Sequence, residues 1–181
     1  MKNIIYSEMM VHVPMCTSKM ANSLLIISNN PERLSAEASR HAQATFKISP
    51  CNLEEISSHG DKSYDVIISE MPCDELLLAQ INRILRDDGQ FVTTHESLEN
   101  IDTNKSLIKK ISRFFKVVMP YNLGDCSTAL FASKEYHPTA DIILQRADML
   151  DGLSYYNCDI HPAAFAMGNY IRKEYLGVIK N

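Results

Sequence analysis

Residues 155–165 read Y-Y-N-C-D-I-H-P-A-A-F. Two adjacent tyrosines, an asparagine, an aspartate and a histidine precede a small apolar run, a combination that no helix or turn requires. A second cluster with chemical potential is His95-Glu96, an imidazole beside a carboxylate. Such a pair can do acid–base work, although a lone loop histidine is more often structural or solvated. The five cysteines (Cys16, Cys51, Cys73, Cys126, Cys158) are odd in number and scattered. There is no C-x-x-C pair and no Cys/His cluster with zinc spacing, so they read as reduced thiols of a cytoplasmic protein, with no metal site. Glu54 and Glu55 read as the solvated face of a short helix, and His59-Gly60-Asp61 as a surface turn.

Composition narrows the classes. With 45% apolar and 22% charged residues, the 181-residue chain can bury a substantial core as a single domain, residues 1–181. A net charge of −4 gives no electrostatic footprint for nucleic acid. No apolar run approaches the roughly 18 residues of a membrane span. The start, Met1-Lys2-Asn3-Ile4-Ile5, is interrupted by Ser7 and Glu8 before a signal-peptide core forms.

Strands and helices alternate. Leu24-Leu25-Ile26-Ile27 is a short continuous apolar run, the pattern of a buried strand. Residues 44–48, 64–69, 90–94, 117–119 and 128–132 read as further strands, the last two as an antiparallel pair turning at Asn122-Leu123-Gly124-Asp125. Helices are expected over residues 5–16, from Asn30-Pro31-Glu32 with Asn30 as cap, over 74–85, 105–115 and 163–179. This alternation predicts a mostly parallel sheet covered on both faces. Ligands of such sheets bind at the carboxyl ends of the strands, so the loops after Ile27, Ile48, Ser69 and Thr94 must hold any site.

The Y-Y-N-C-D-I-H-P-A-A-F block resembles the C-terminal signature of the spermidine synthases, Y-Y-N-x-[DE]-[IV]-H-x-A-A-F. Residues 6–14, Y-S-E-M-M-V-H-V-P, resemble that family's Y-[HQ]-E-M-[IML]-x-H-[VL]-P segment. The two blocks stand in family order. The resemblance implies an α/β fold of the Rossmann-like, S-adenosylmethionine-dependent methyltransferase type with a terminal antiparallel pair, one strand short between Pro50 and Tyr64. It implies transfer of an aminopropyl group from decarboxylated S-adenosylmethionine, a co-substrate and not a tightly bound cofactor, to putrescine or a similar diamine. Aligned on Val66-Ile67-Ile68, Glu70 falls where the family's catalytic Asp assists the amine, and a carboxylate can accept that proton. Asp74 falls beside the position that holds the far amine, and is read also as a helix cap. Tyr6 and Tyr121 are the implied substrate-binding tyrosines. Asn29 and Asn30 lie in the implied cofactor loop.

Departures from the family pattern temper this. Ser28-Asn29-Asn30-Pro31-Glu32 contains none of the glycines that bring backbone close to a nucleoside, and the second strand ends Ile48-Ser49-Pro50-Cys51 without a ribose-binding carboxylate. Weak or absent activity is therefore expected. The alternative is a non-catalytic Rossmann-like scaffold that binds a protein partner such as an intact paralogue. The resemblance also implies a short member without the family's N-terminal β-domain. Apolar surface left around Tyr6, Met9 and Met10 would then drive homodimer formation.

Overall fold

β1 (Ser23–Ile27) and β3 (Tyr64–Ser69) carry continuous apolar runs because both of their faces are covered. Leu24 and Ile26 enter one core with Val66 and Ile68, while Leu25 and Ile27 enter a second core with Ile67. The computed structural model, which describes residues 2–181, places them in a six-stranded sheet. The other strands are β2 (Thr45–Ser49), β4 (Leu85–His95), β5 (Val117–Asn122) and β6 (Thr128–Ser133), in the order β2-β1-β3-β4-β6-β5. The first four run parallel, and β6 is antiparallel to both of its neighbours. All six strands overlap the predicted runs, but β4 starts at Leu85, where the preceding helix was expected to end, and β5 continues to Asn122.

Helices cover both faces. α1 (Lys2–Thr17) supplies Met9, Met10 and Val13 to the first core, beside α2 (Glu32–Ala38). α4 (Glu75–Ile84) and α5 (Ile101–Ile111) supply Leu77, Leu78, Ile81, Ile108 and Ile111 to the second. Each such side chain, fully buried, contributes roughly 2 kcal/mol. Met9 and Met10 have no exposed surface and add nothing to the apolar patch expected around them; Tyr6 and Ile5 are half-buried and Ile4 is exposed. Among the described residues no helix is long and apolar enough to cross a membrane.

β2 is an edge strand with Lys47 and Ile48 facing outwards, and the link from it to β3 holds only the short helix α3 (Leu53–Ser57). This is the place where a strand was expected to be missing.

Two local expectations fail. Asn30 does not cap α2: the residue before the helix is Pro31, and no side chain caps it. The single helix expected over residues 163–179 is broken. α7 (Ile160–Ala163) stops, α8 (Asn169–Glu174) restarts after an extended Gly168, and Gly177 has φ +74°. The carbonyl of Ala164, which a continuing helix needs, accepts the Asn122 amide at 2.9 Å instead. The chain then pairs Lys180 with Val118 of β5. α6 (Leu144–Asp148) precedes these pieces on the α1 side, where Ile143 donates its amide to the Cys16 carbonyl at 2.8 Å.

Candidate active site at the carboxyl ends of the parallel strands

The parallel register aligns the strand ends. Ile27 lies opposite both Ser49 and Ser69, and Ser69 lies opposite Thr93. Residues just past these positions therefore meet. Glu70 follows β3 and donates its amide to the Ile27 carbonyl at 2.9 Å. Its carboxylate accepts the Tyr6 hydroxyl from α1 at 2.7 Å on Oε1 and the Ser28 hydroxyl from the β1 loop on Oε2. Burial, and then donation to Glu70, hold the Tyr6 phenol well above its ordinary pKa. It stays protonated as a donor at any physiological pH. A carboxylate has about four acceptor positions, so two remain free on Glu70. It lines a cleft of about 540 Å³ with Cys73, His95, Glu96 and Asn104.

The β1 loop is closed by its own bonds. Ser28 is buried and accepts the Asn30 amide at 3.0 Å while it donates to Glu70. The side-chain oxygen of Asn29 accepts the Cys51 amide at 3.0 Å, tying the β1 loop to the β2 loop. Both asparagines stand exposed at the strand end, as the resemblance places them. The loop amides of Asn30 and Cys51 are thus spent within the protein, and side chains stand where glycines would let a nucleoside approach.

The other sequence candidates are dispersed. Asp74 caps α4, accepting the Leu77 amide at 2.7 Å, and does not line the cleft. Tyr121 is fully buried, stacks on Phe165 with ring centroids 5.1 Å apart, and donates its hydroxyl to the Met9 carbonyl. As a substrate-binding tyrosine it is corrected by this burial: its phenol is core. Cys73, at the position aligned with the family's second Asp, keeps its thiol protonated, since burial pushes its pKa up to about 12. Ser28 went unnoticed among the site residues, because a strand-end serine has no pattern to mark it. Asn104 left no signal: it lies in the first turn of α5, just ahead of the helix expected from residue 105.

No family model matches this chain. Among characterised proteins, a polyamine aminopropyltransferase of Helicobacter acinonychis (strain Sheeba) is 34% identical over 112 residues, 59% of this chain and 42% of that protein. The polyamine aminopropyltransferase of Helicobacter pylori (strain G27) is 26% identical over 99% of this chain, and the chain spans 80% of it. Along nearly its whole length the chain is similar to the polyamine aminopropyltransferases. Among solved structures, spermidine synthase from Thermotoga maritima superposes with a TM-score of 0.84 at 23% identity, over 97% of this chain and 75% of that one. A spermidine synthase in complex with the transition state analogue AdoDATO gives 0.83 at 21%, over 94% and 75%. At these identities the superpositions bear on the fold. Phosphoethanolamine N-methyltransferase 2 of Haemonchus contortus, solved with S-adenosyl-L-methionine, shares it more loosely, at a TM-score of 0.54.

The two terminal blocks meet in the fold. Glu8 of the first block accepts the backbone amides of Ser154, Tyr155 and Tyr156 in the second, at 2.7, 2.8 and 2.9 Å. Tyr156 shares a 2.7 Å hydrogen bond with His161 Nδ1, and His12 stacks obliquely on Tyr156. His12 in turn lies between His41, 3.0 Å away, and Glu37, 3.1 Å away. The family signature in this chain is thus largely a lock between the first helix and the C-terminal segment. Of the first block, only Tyr6 also reaches the cleft's carboxylate.

Proposed function

We propose that this protein is a slow aminopropyltransferase of the spermidine synthase type. The single observation that carries the reading is the convergence of the Tyr6 and Ser28 hydroxyls on Glu70 at the edge of the cleft. In the reaction, a diamine such as putrescine loses a proton to Glu70. The freed nitrogen lone pair forms a bond to the propyl carbon next to the sulfonium of decarboxylated S-adenosylmethionine. The carbon–sulfur bond breaks, its electrons return to sulfur, and methylthioadenosine leaves as a neutral thioether. Tyr6 and Ser28 orient the carboxylate and leave it acceptor capacity for the ammonium. Glu70 is one methylene longer than aspartate, and a misplacement of about 1 Å can cost roughly 100-fold in rate.

The nucleoside side supports slowness. With the Ser28–Asn30 and Asn29–Cys51 bonds closing the loop, a dissociation constant of about 1 mM or weaker is expected for methylthioadenosine, roughly −4 kcal/mol. The same closure favours a second reading, a non-catalytic scaffold for a protein partner. On the first reading the protein works in the cytoplasm, in keeping with five free thiols, and pairs as a homodimer as its relatives are expected to.

Chromatographic detection of methylthioadenosine and of the aminopropylated diamine tests the choice. Formation of both products in equal amounts, abolished in Glu70→Gln, supports the enzyme. Turnover indistinguishable from Glu70→Gln in the intact protein, with both substrates at millimolar concentration, supports the scaffold.

A further inference from the structure

Five cations lie between residues 105 and 116, on α5 and just past its end. Three are paired: Lys105 with Glu174 at 3.6 Å, Arg113 with Glu75 at 3.2 Å, and Lys116 with Glu135. Lys109 is exposed, in the last turn of the helix, where a cation offsets the macrodipole. Lys110 is different. It is half-buried and lines the cleft beside Glu70, and among the described residues its Nζ has no hydrogen-bond or ion-pair partner.

The neighbours of Lys110 on the helix decide what it faces. Thr103, Ser106, Leu107 and Lys110 recur at i, i+3, i+4 and i+7, one face of a helix, and all of them line the cleft. That face carries hydroxyls, then an apolar side chain, then the ammonium. Cys73, on the loop after β3, also lines the cleft and is close enough to Lys110 for the ammonium to act on its thiol. Glu70 stands three residues before Cys73, so their Cα atoms are at most about 10 Å apart. The charge of Lys110 therefore lies within a small molecule's length of the Glu70 carboxylate.

A diamine fits this arrangement badly. With one ammonium at Glu70, its second is left in a cleft whose far wall is a cation, and like charges repel. Asp74, which could have balanced it, caps α4 and does not line the cleft. Glu96 does line the cleft, but it is exposed and its Oε2 accepts the Asn100 side-chain amide at 2.7 Å, so a solvated ion pair there is worth little. An amine with an anion at its other end matches both walls. Its ammonium meets Glu70, its anion meets Lys110, and the Ser106 hydroxyl one turn before Lys110 can donate to the same anion. We infer that the acceptor this cleft prefers is an ω-amino acid, a primary amine with a carboxylate at its far end, and that Lys110 selects it. The inference rests on the aminopropyl-transfer reading: it keeps the reaction and names a different preferred acceptor. The amine gives a proton to Glu70, its nitrogen bonds to the propyl carbon, the carbon–sulfur bond breaks towards sulfur, and the carboxylate at Lys110 is left unchanged.

γ-Aminobutyrate, putrescine and n-butylamine share one chain length and end in a carboxylate, an ammonium and a methyl group. Each is offered separately with decarboxylated S-adenosylmethionine, and release of methylthioadenosine is followed. The expected order of kcat/KM is γ-aminobutyrate, n-butylamine, putrescine, with the first about tenfold or more above the last. Lys110→Met keeps most of the stem and removes the charge. It should lower the ratio of γ-aminobutyrate to n-butylamine about tenfold, through KM and not kcat, and Lys110→Arg should restore that ratio. Lys110→Glu should turn the preference to putrescine. Amide NMR spectra check that each variant keeps the fold. If putrescine outruns γ-aminobutyrate in the intact protein, or if Lys110→Met lowers all three acceptors alike, the inference is wrong, while turnover that depends on Glu70 leaves the transfer reading standing. If no acceptor exceeds the Glu70→Gln background, the transfer reading fails, and the inference with it.

Discussion

Glu8 and Glu70 are both glutamates that accept several hydrogen bonds, and they do opposite things. Glu8 is 1% exposed, and its donors are three backbone amides that cannot turn away. Glu70 faces a cleft, and its donors are two hydroxyls that can rotate to follow a change of charge. A carboxylate surrounded by fixed donors is part of the framework: moving it would strand all three amides. A carboxylate held by rotatable donors, with lone pairs to spare, is prepared for a partner to come and go. Hydrogen-bond count does not separate the two; the mobility of the donors does.

The sharpest way to break this contrast is Glu8→Ala. It orphans three backbone amides, each previously bonded to a charged group and one of them, that of Tyr156, buried, and should cost about 3 kcal/mol. For a chain of this size that is a fall in Tm of roughly 10 °C, read by thermal unfolding. A loss below about 1 kcal/mol would place Glu8 with Glu70 after all.

Acid should attack the same framework. Burial, above all, lowers the pKa of His41 to about 3 and of His161 to about 4, from an ordinary 6.5. Groups with depressed folded-state values bind fewer protons folded than unfolded. Their stability is therefore fully present above about pH 6.5 and is lost as pH falls towards 4. Denaturant titrations at pH 7 and pH 5 should differ by about 4 kcal/mol, about 2 from each histidine, and His161→Phe should halve that gap.

Glu70→Gln should reverse the pattern. Loss of the proton acceptor predicts at least a 100-fold fall in aminopropyl transfer, about 2.7 kcal/mol, with under 1 kcal/mol change in stability. Glu70→Asp sharpens it further: with the shorter carboxylate the rate should hold or rise, provided that Tyr6 and Ser28 follow. A rate unchanged in Glu70→Gln would put the chemistry elsewhere.

The smallest effect concerns Asp74. Asp74→Ala removes the α4 cap and should cost about 1 kcal/mol of stability, whereas Asp74→Asn, also a good cap, should cost little. Neither should change the KM for putrescine. A tenfold rise in KM would return Asp74 to the diamine.

How well the sequence announced each part follows from the range of the forces involved. The six strands were legible because burial on both faces demands uninterrupted apolar runs such as residues 24–27. The Asp74 cap was legible because capping is local in the chain. The C-terminal helix was misread because its break depends on Asn122, 42 residues away, taking the Ala164 carbonyl. Tyr121 was misread for a related reason: a phenol in a strand looks the same whether its hydroxyl meets a substrate or the Met9 carbonyl. Within the candidate site, Glu70 and Tyr6 came from family resemblance, and Ser28 emerged only when parallel register brought the β1 and β3 ends together.

The lock at Glu8 also sets a timetable. Its partners lie 146 to 148 residues further along the chain. At a ribosomal pace of about 5–20 residues per second, the carboxylate waits roughly 7–30 s before the amides that will hold it exist. During that interval α1 lacks this tie and rests on α2 and the sheet alone, so Met9 and Met10, sealed in the finished fold, are less firmly covered against other chains. Crowding at this stage, not the stability of the completed protein, would then limit the yield. A circular permutant that synthesises residues 154–156 just ahead of α1 would shorten the wait to the time needed to make a helix.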